Sequence, residues 1–136
     1  MAAKKIIALV SEPISGEALK SAVGRGAAET AEVLVVAPAL NSKFKFLTSD
    51  PDEAIARAEA VQQETVERLD EEGIDAAGDT GEADPMVAIE DALQTFPADR
   101  IVIFSHPEDE RAYREEELDE AGRRFGVPVT QGTISG

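Results

Sequence analysis

Arg100-Ile101-Val102-Ile103-Phe104-Ser105-His106-Pro107-Glu108-Asp109-Glu110 is the stretch whose reading decides the fold. Its apolar run is short and does not alternate with polar residues, the pattern of a strand buried on both faces. Such strands belong to parallel sheets covered by helices on both sides, and ligands of such sheets sit just beyond the carboxyl ends of the strands. Here that position holds the chain's only histidine, a proline and three carboxylates. A phosphate-binding loop would place glycines there.

Outward from this stretch the same signals recur. Lys5 to Val10 reads as a first buried strand, stopped at Ser11-Glu12-Pro13. Ser15 is placed to cap a helix from Gly16 onward, with Leu19, Val23 and Ala27 on one face and Gly24 and Gly26 weakening its last turns. Glu32 to Ala37 contains Val33-Leu34-Val35-Val36, where a helix would lose side-chain entropy, so a second buried strand is expected, ending at Pro38. Asp50-Pro51-Asp52-Glu53 combines an N-cap, a proline at the first helical position and a capping-box glutamate. Ile55, Ala58, Val61, Thr65 and Leu69 then form the packing face of the helix, which Gly73 ends.

Ile74 to Thr80 is a more polar strand, suited to a sheet edge. Gly81-Glu82-Ala83-Asp84-Pro85 repeats the helix-start signal, with Asp84 as cap and Ile89, Ala92, Leu93 and Phe96 as the buried face before Pro97. A last helix, Arg111 to Phe125, packs through Leu118, Ala121, Gly122 and Phe125 and ends at Gly126. Val127-Pro128-Val129-Thr130 is the closing strand, expected at an edge or a subunit contact because Pro128 lacks a ladder donor. Five strands and four helices alternate, which predicts an α/β fold: a single doubly wound parallel sheet with helices on both faces, one domain over residues 1–136. Its switch point lies beside the first strand, so Ser11-Glu12 and Ser105-His106 are expected to face each other across a crevice.

Composition bounds the function. The 136 residues carry 28 acidic against 13 basic side chains, a net charge of −15. That field opposes nucleic acid and anionic lipid; the charge is read as a soluble surface, in preference to the high-salt cytoplasm that an acid excess with few lysines would also suit. The absence of cysteine removes disulfides, thiolate metal ligands and thiol nucleophiles. Ile6 to Val10 is far too short for a signal-peptide core or a membrane span, so a cytoplasmic location without membrane contact is expected.

Three features resemble one known family: Gly81-Glu82-Ala83-Asp84-Pro85 leading into Ala88-Ile89-Glu90-Asp91-Ala92; Ala98-Asp99 running into the strand that ends at Ser105-His106; and the terminal Val127-Pro128-Val129. In that order they look like the universal stress protein family, over nearly the whole chain. The resemblance implies strand order 3-2-1-4-5, a homodimer through the last strand, and, in some members, ATP or AMP held between strands one and four. Nucleotide-binding members carry glycines after the histidine, in the spacing Gly, two residues, Gly, nine residues, Gly, then Ser or Thr. Laid on this chain the pattern meets Pro107, Glu110, Glu120 and Ala121, none of which matches. Pro107 has no N–H, and Glu108, Asp109 and Glu110 set negative charge beside a polyphosphate.

The expectation is a non-ATP-binding member, without cofactor or metal, acting as a homodimeric regulatory or interaction module rather than as an enzyme. The alternative is an adenine nucleotide regulator whose crevice would use Ser11, Glu12, Pro38, Gly81, Ser105 and His106. His106 is the default general base in an enzyme. Its neighbour Ser105 points to the opposite face of a strand, no Gly-x-Ser-x-Gly elbow exists, and no catalytic residue is assigned. Glu108-Asp109-Glu110 is read as favourable charge at the start of the last helix in preference to a cation site, and Arg123-Arg124 as its complement at the other end. Lys43-Phe44-Lys45-Phe46, basic and aromatic in an acidic chain, is read as a loop pinned by phenylalanine, with a protein-partner contact as the functional alternative.

Overall fold

The apolar runs require cover on both faces, and the computed structural model supplies it. It describes residues 5–10, 12–24, 26, 30–38, 51–81, 85–105 and 115–133. In chain order these form β1 (Lys5–Leu9), α1 (Gly16–Val23), β2 (Glu32–Pro38), α2 (Pro51–Glu71), β3 (Asp75–Gly81), α3 (Pro85–Thr95), β4 (Arg100–Ser105), α4 (Glu115–Phe125) and β5 (Val129–Thr133). The five strands make one sheet in the order β3-β2-β1-β4-β5, and every pairing is parallel. This is the expected fold, with the polar β3 and the proline-preceded β5 at its two edges.

Alternation along β1 divides the core. Ile6 and Ala8 point to the face covered by Leu19 and Val23 of α1 and by Ala58, Val61 and Leu69 of α2. Ile7 and Leu9 point to the other face, covered by Ala88, Ile89 and Ala92 of α3, with Phe125 of α4 at its margin. Two helices per face is what right-handed crossovers produce in this strand order. Each fully buried Ile, Leu or Val side chain contributes about 1.5–3 kcal/mol relative to exposure.

Element ends follow local chemistry. Ser15 caps α1, its Oγ accepting from the Ala18 N–H at 3.2 Å. Gly73, at φ +79°, closes α2, with Ile74 N–H donating to Leu69 O at 2.9 Å and Gly73 N–H to Asp70 O at 3.0 Å, the paired bonds of a Schellman motif. The start of β1 is clamped to the turn before β4: Lys5 N–H donates to Asp99 Oδ2 at 3.0 Å, and Asp99 N–H donates to Lys5 O at 2.7 Å.

Some expectations shift. α1 stops at Val23 because Gly24, at φ +94°, turns the chain while its N–H donates to Lys20 O; Ala27 lies outside the described residues. Ile55 is 42 % exposed and does not join the packing face of α2, which begins at Ala58. Leu93 and Phe96 are only partly buried. β5 starts at Val129, so Pro128 precedes it. Its carbonyl accepts the Ile101 N–H at 2.9 Å, and its missing donor costs the ladder nothing. Pro51 and Pro85 open their helices as expected, while the caps Asp50 and Asp84 and the start of the last helix at Arg111 lie outside the described residues.

Gly132 on β5 stands opposite Phe104 in the β4–β5 register. A Cβ at Gly132 would come within 2.5 Å of Phe104 Cε1 and 2.6 Å of Cδ1, and the Phe104 ring is buried at 3 % exposure. Gly132→Ala is expected to destabilise the protein by about 1–3 kcal/mol through overpacking, read as a lower urea midpoint at unchanged m-value.

Candidate functional site

The crevice is built from unequal strand lengths. Leu9, the last residue of β1, is in register with Val36 on one side and Ile103 on the other. β2 continues to Pro38 and β4 to Ser105, so both neighbours run two residues past the partners of Leu9. The chain leaves β1 through Val10, whose N–H still reaches Val36 O at 2.9 Å. Strands flanking a common neighbour are roughly 10 Å apart, so the projecting ends of β2 and β4 form the two walls of a notch at the carboxyl edge of the sheet.

Of the six candidate positions, the structure brings Pro38, Gly81 and Ser105 to this edge. Pro38 and Gly81 are register partners at the end of the β2–β3 ladder, and Ser105 pairs with Thr133 at the end of β4–β5. Glu12 follows β1 and is exposed. Ser11 and His106 lie outside the described residues, as do Glu108-Asp109-Glu110 and the Lys43 to Phe46 stretch. Among the described residues no group of His, Asp and Glu is placed to hold a metal ion.

Away from the notch, the connection from β1 to α1 packs on the face of the sheet, and α2 positions it. Ile14 is buried, and its N–H donates to Thr65 Oγ1 at 3.3 Å, a hydroxyl from the middle of α2 that is itself fully buried. Gly16, the first residue of α1, is buried against Glu72: a Cβ at Gly16 would meet Glu72 Cγ at 2.5 Å and Cβ at 2.8 Å. Glu72 Oε2 then accepts from Lys20 Nζ at 2.9 Å, with the lysine side chain 8 % exposed and the glutamate 38 %. A helix start is a natural anion site, yet an acidic side chain already lies across this one. A phosphate directed at α1 would have to displace it.

Four of these residues escaped the sequence reading in this role. Thr65 was legible only as part of a packing stripe; the signal was a hydroxyl in a row of Ala, Val and Leu, where a buried polar group requires a partner. Gly16 was read as a helix position, and the Lys20–Glu72 pair, 52 residues apart in sequence, had no local signal.

A parallel sheet ordered β3-β2-β1-β4-β5, with its notch where β1 falls short of β2 and β4, defines a class: doubly wound α/β proteins with a carboxyl-edge site at the switch point. Within that class the chain has the universal stress protein fold. It superposes on a universal stress protein from Archaeoglobus fulgidus with a TM-score of 0.65 at 17 % identity, covering 95 % of this chain and 98 % of that one. It matches a universal stress protein family protein from Arabidopsis thaliana, solved with AMP bound, with a TM-score of 0.63 at 11 % identity, covering 98 % and 93 %. A universal stress protein in complex with cAMP gives a TM-score of 0.65 at 16 % identity, covering 99 % of this chain and 100 % of that one. No family model and no curated protein matches the sequence.

Two substitutions test the contacts between the β1–α1 connection and α2. Gly16→Ala improves helix propensity by up to about 1 kcal/mol, but it collides with the Glu72 stem, so a net loss of about 1–2 kcal/mol is expected in urea unfolding. Thr65→Val keeps the shape and leaves the Ile14 N–H buried without its acceptor. It should cost about 1–3 kcal/mol and speed hydrogen exchange at Ile14, whereas Thr65→Ser should retain most of the wild-type protection.

Proposed function

We propose that this chain is a universal stress protein of the non-ATP-binding type, located in the cytoplasm and working as a homodimeric interaction module rather than as an enzyme. The observation that carries the reading is the content of the notch. The sequence leaving β4 at this edge is His106-Pro107-Glu108-Asp109-Glu110, which offers carboxylates and a proline where a polyphosphate needs backbone N–H groups. Support for a dimer comes from β5, an edge strand paired only with β4 among the described residues, since such an edge is a template for a second chain. No helix of the described residues is long and apolar enough to cross a membrane.

A second reading has its own support, because structures of the same fold hold AMP and cAMP. In it, backbone groups at Pro38 and Gly81 hold the adenosine end, and the phosphate end is short or loosely held. Native mass spectrometry of freshly purified protein separates the two. A dimer without adduct is the expected spectrum; a dimer carrying AMP or cAMP replaces the first reading with the second, and a monomer across the whole concentration range removes the dimeric module.

A further inference from the structure

Among the described residues the two signs of charge differ in exposure. Every acidic residue whose side chain is described is exposed, from Glu12 beside β1 to Glu120 on α4. The basic residues behave differently. Lys20 is buried against Glu72, Lys5 and Arg100 are half-buried, and the Lys5 ammonium lies 5.4 Å from the centre of the Phe96 ring. Of the described basic side chains only Arg57, Arg68, Arg123 and Arg124 are exposed. Arg68 pairs with Glu64 at 2.7 Å and Arg124 with Glu90 at 2.8 Å. In a chain of net charge −15, the described surface is thus dominated by carboxylates.

We infer that this surface is built for concentrated monovalent salt, and that a diffuse atmosphere of Na⁺ or K⁺, held at no single site, is the ligand that completes the folded state. Folding draws the carboxylates from an expanded chain onto a small surface, so their mutual repulsion opposes it. Neighbouring turns of a helix bring side chains to about 5–6 Å. The Debye length is about 10 Å at 0.1 M salt and about 3 Å at 1 M. Repulsion between adjacent acids is therefore felt at the lower concentration and largely screened at the higher one. With 28 acidic against 13 basic residues, interspersed cations cannot offset this repulsion throughout. The inference is independent of what occupies the notch.

The test is thermal unfolding at fixed protein concentration in NaCl and in KCl. Between 0.1 and 1 M the Tm is expected to rise by about 10 °C or more, by the same amount in both salts, and to level off above. A flat profile overturns the inference. So does a Tm that is unmoved by chloride below 1 M and climbs steadily in sodium sulfate, because that is exclusion of salt from the surface rather than screening. The second measurement uses Glu59→Lys/Glu67→Lys/Asp70→Lys, three exposed positions on α2. This variant should be more stable than wild type at 0.1 M and lose much of the salt response; full retention of the response removes screening as its cause.

Discussion

Burial of β1 on both faces is the constraint on which the rest of the molecule depends. Ile7 and Ala8 are adjacent in sequence, point in opposite directions and are both completely buried. No single layer of helices can do this, so two are required, and the connections must pass on both sides of the sheet. Once α1 and α2 cover one face and α3 and α4 the other, β1 becomes the strand from which successive connections depart in opposite directions. The notch at its carboxyl end is then a product of topology, and it exists before any residue in it is chosen.

A second tier of contacts ties α2 to the connection after β1. Thr65 and Glu72 stand on the same helix-and-turn unit, one accepting the Ile14 N–H and the other lying across Gly16 and reaching Lys20. Burying a lysine carries a desolvation cost that a partly exposed carboxylate only partly offsets. The gain is positional: the β1–α1 connection is held against α2 at two levels. In this molecule a charged pair acts as a spacer more than as a source of stability.

The sequence showed the fold clearly because its signals were local. Val33-Leu34-Val35-Val36 and Ile101-Val102-Ile103-Phe104 could only be interior strands of a covered sheet, Pro51 and Pro85 marked helix starts, and Gly73 and Gly126 marked helix ends at positive φ. The polarity of β3 placed it at an edge. Local signals failed where a long-range contact decided the outcome. Ile55 satisfied the helical period but sits above the level where the sheet offers cover. Val127 and Pro128 belonged by composition to the last strand, yet the register set by Ile101 and Val129 begins the ladder after them. The candidate site was legible as a place, through Pro38, Gly81 and Ser105, whereas the contacts that fix the β1–α1 connection were not, because their partners lie 51 and 52 residues away in sequence.

Charge carries the argument one step further than geometry does. A ligand entering the notch meets a rim followed in sequence by Glu108, Asp109 and Glu110 and a protein whose described carboxylates all face solvent. Both oppose a polyanion, the acidic run through its nearness in the chain and the whole surface over a Debye length. Salt screens the second and weakens the first, but it cannot supply the backbone N–H that Pro107 lacks. Discrimination against a polyphosphate therefore outlasts the long-range field.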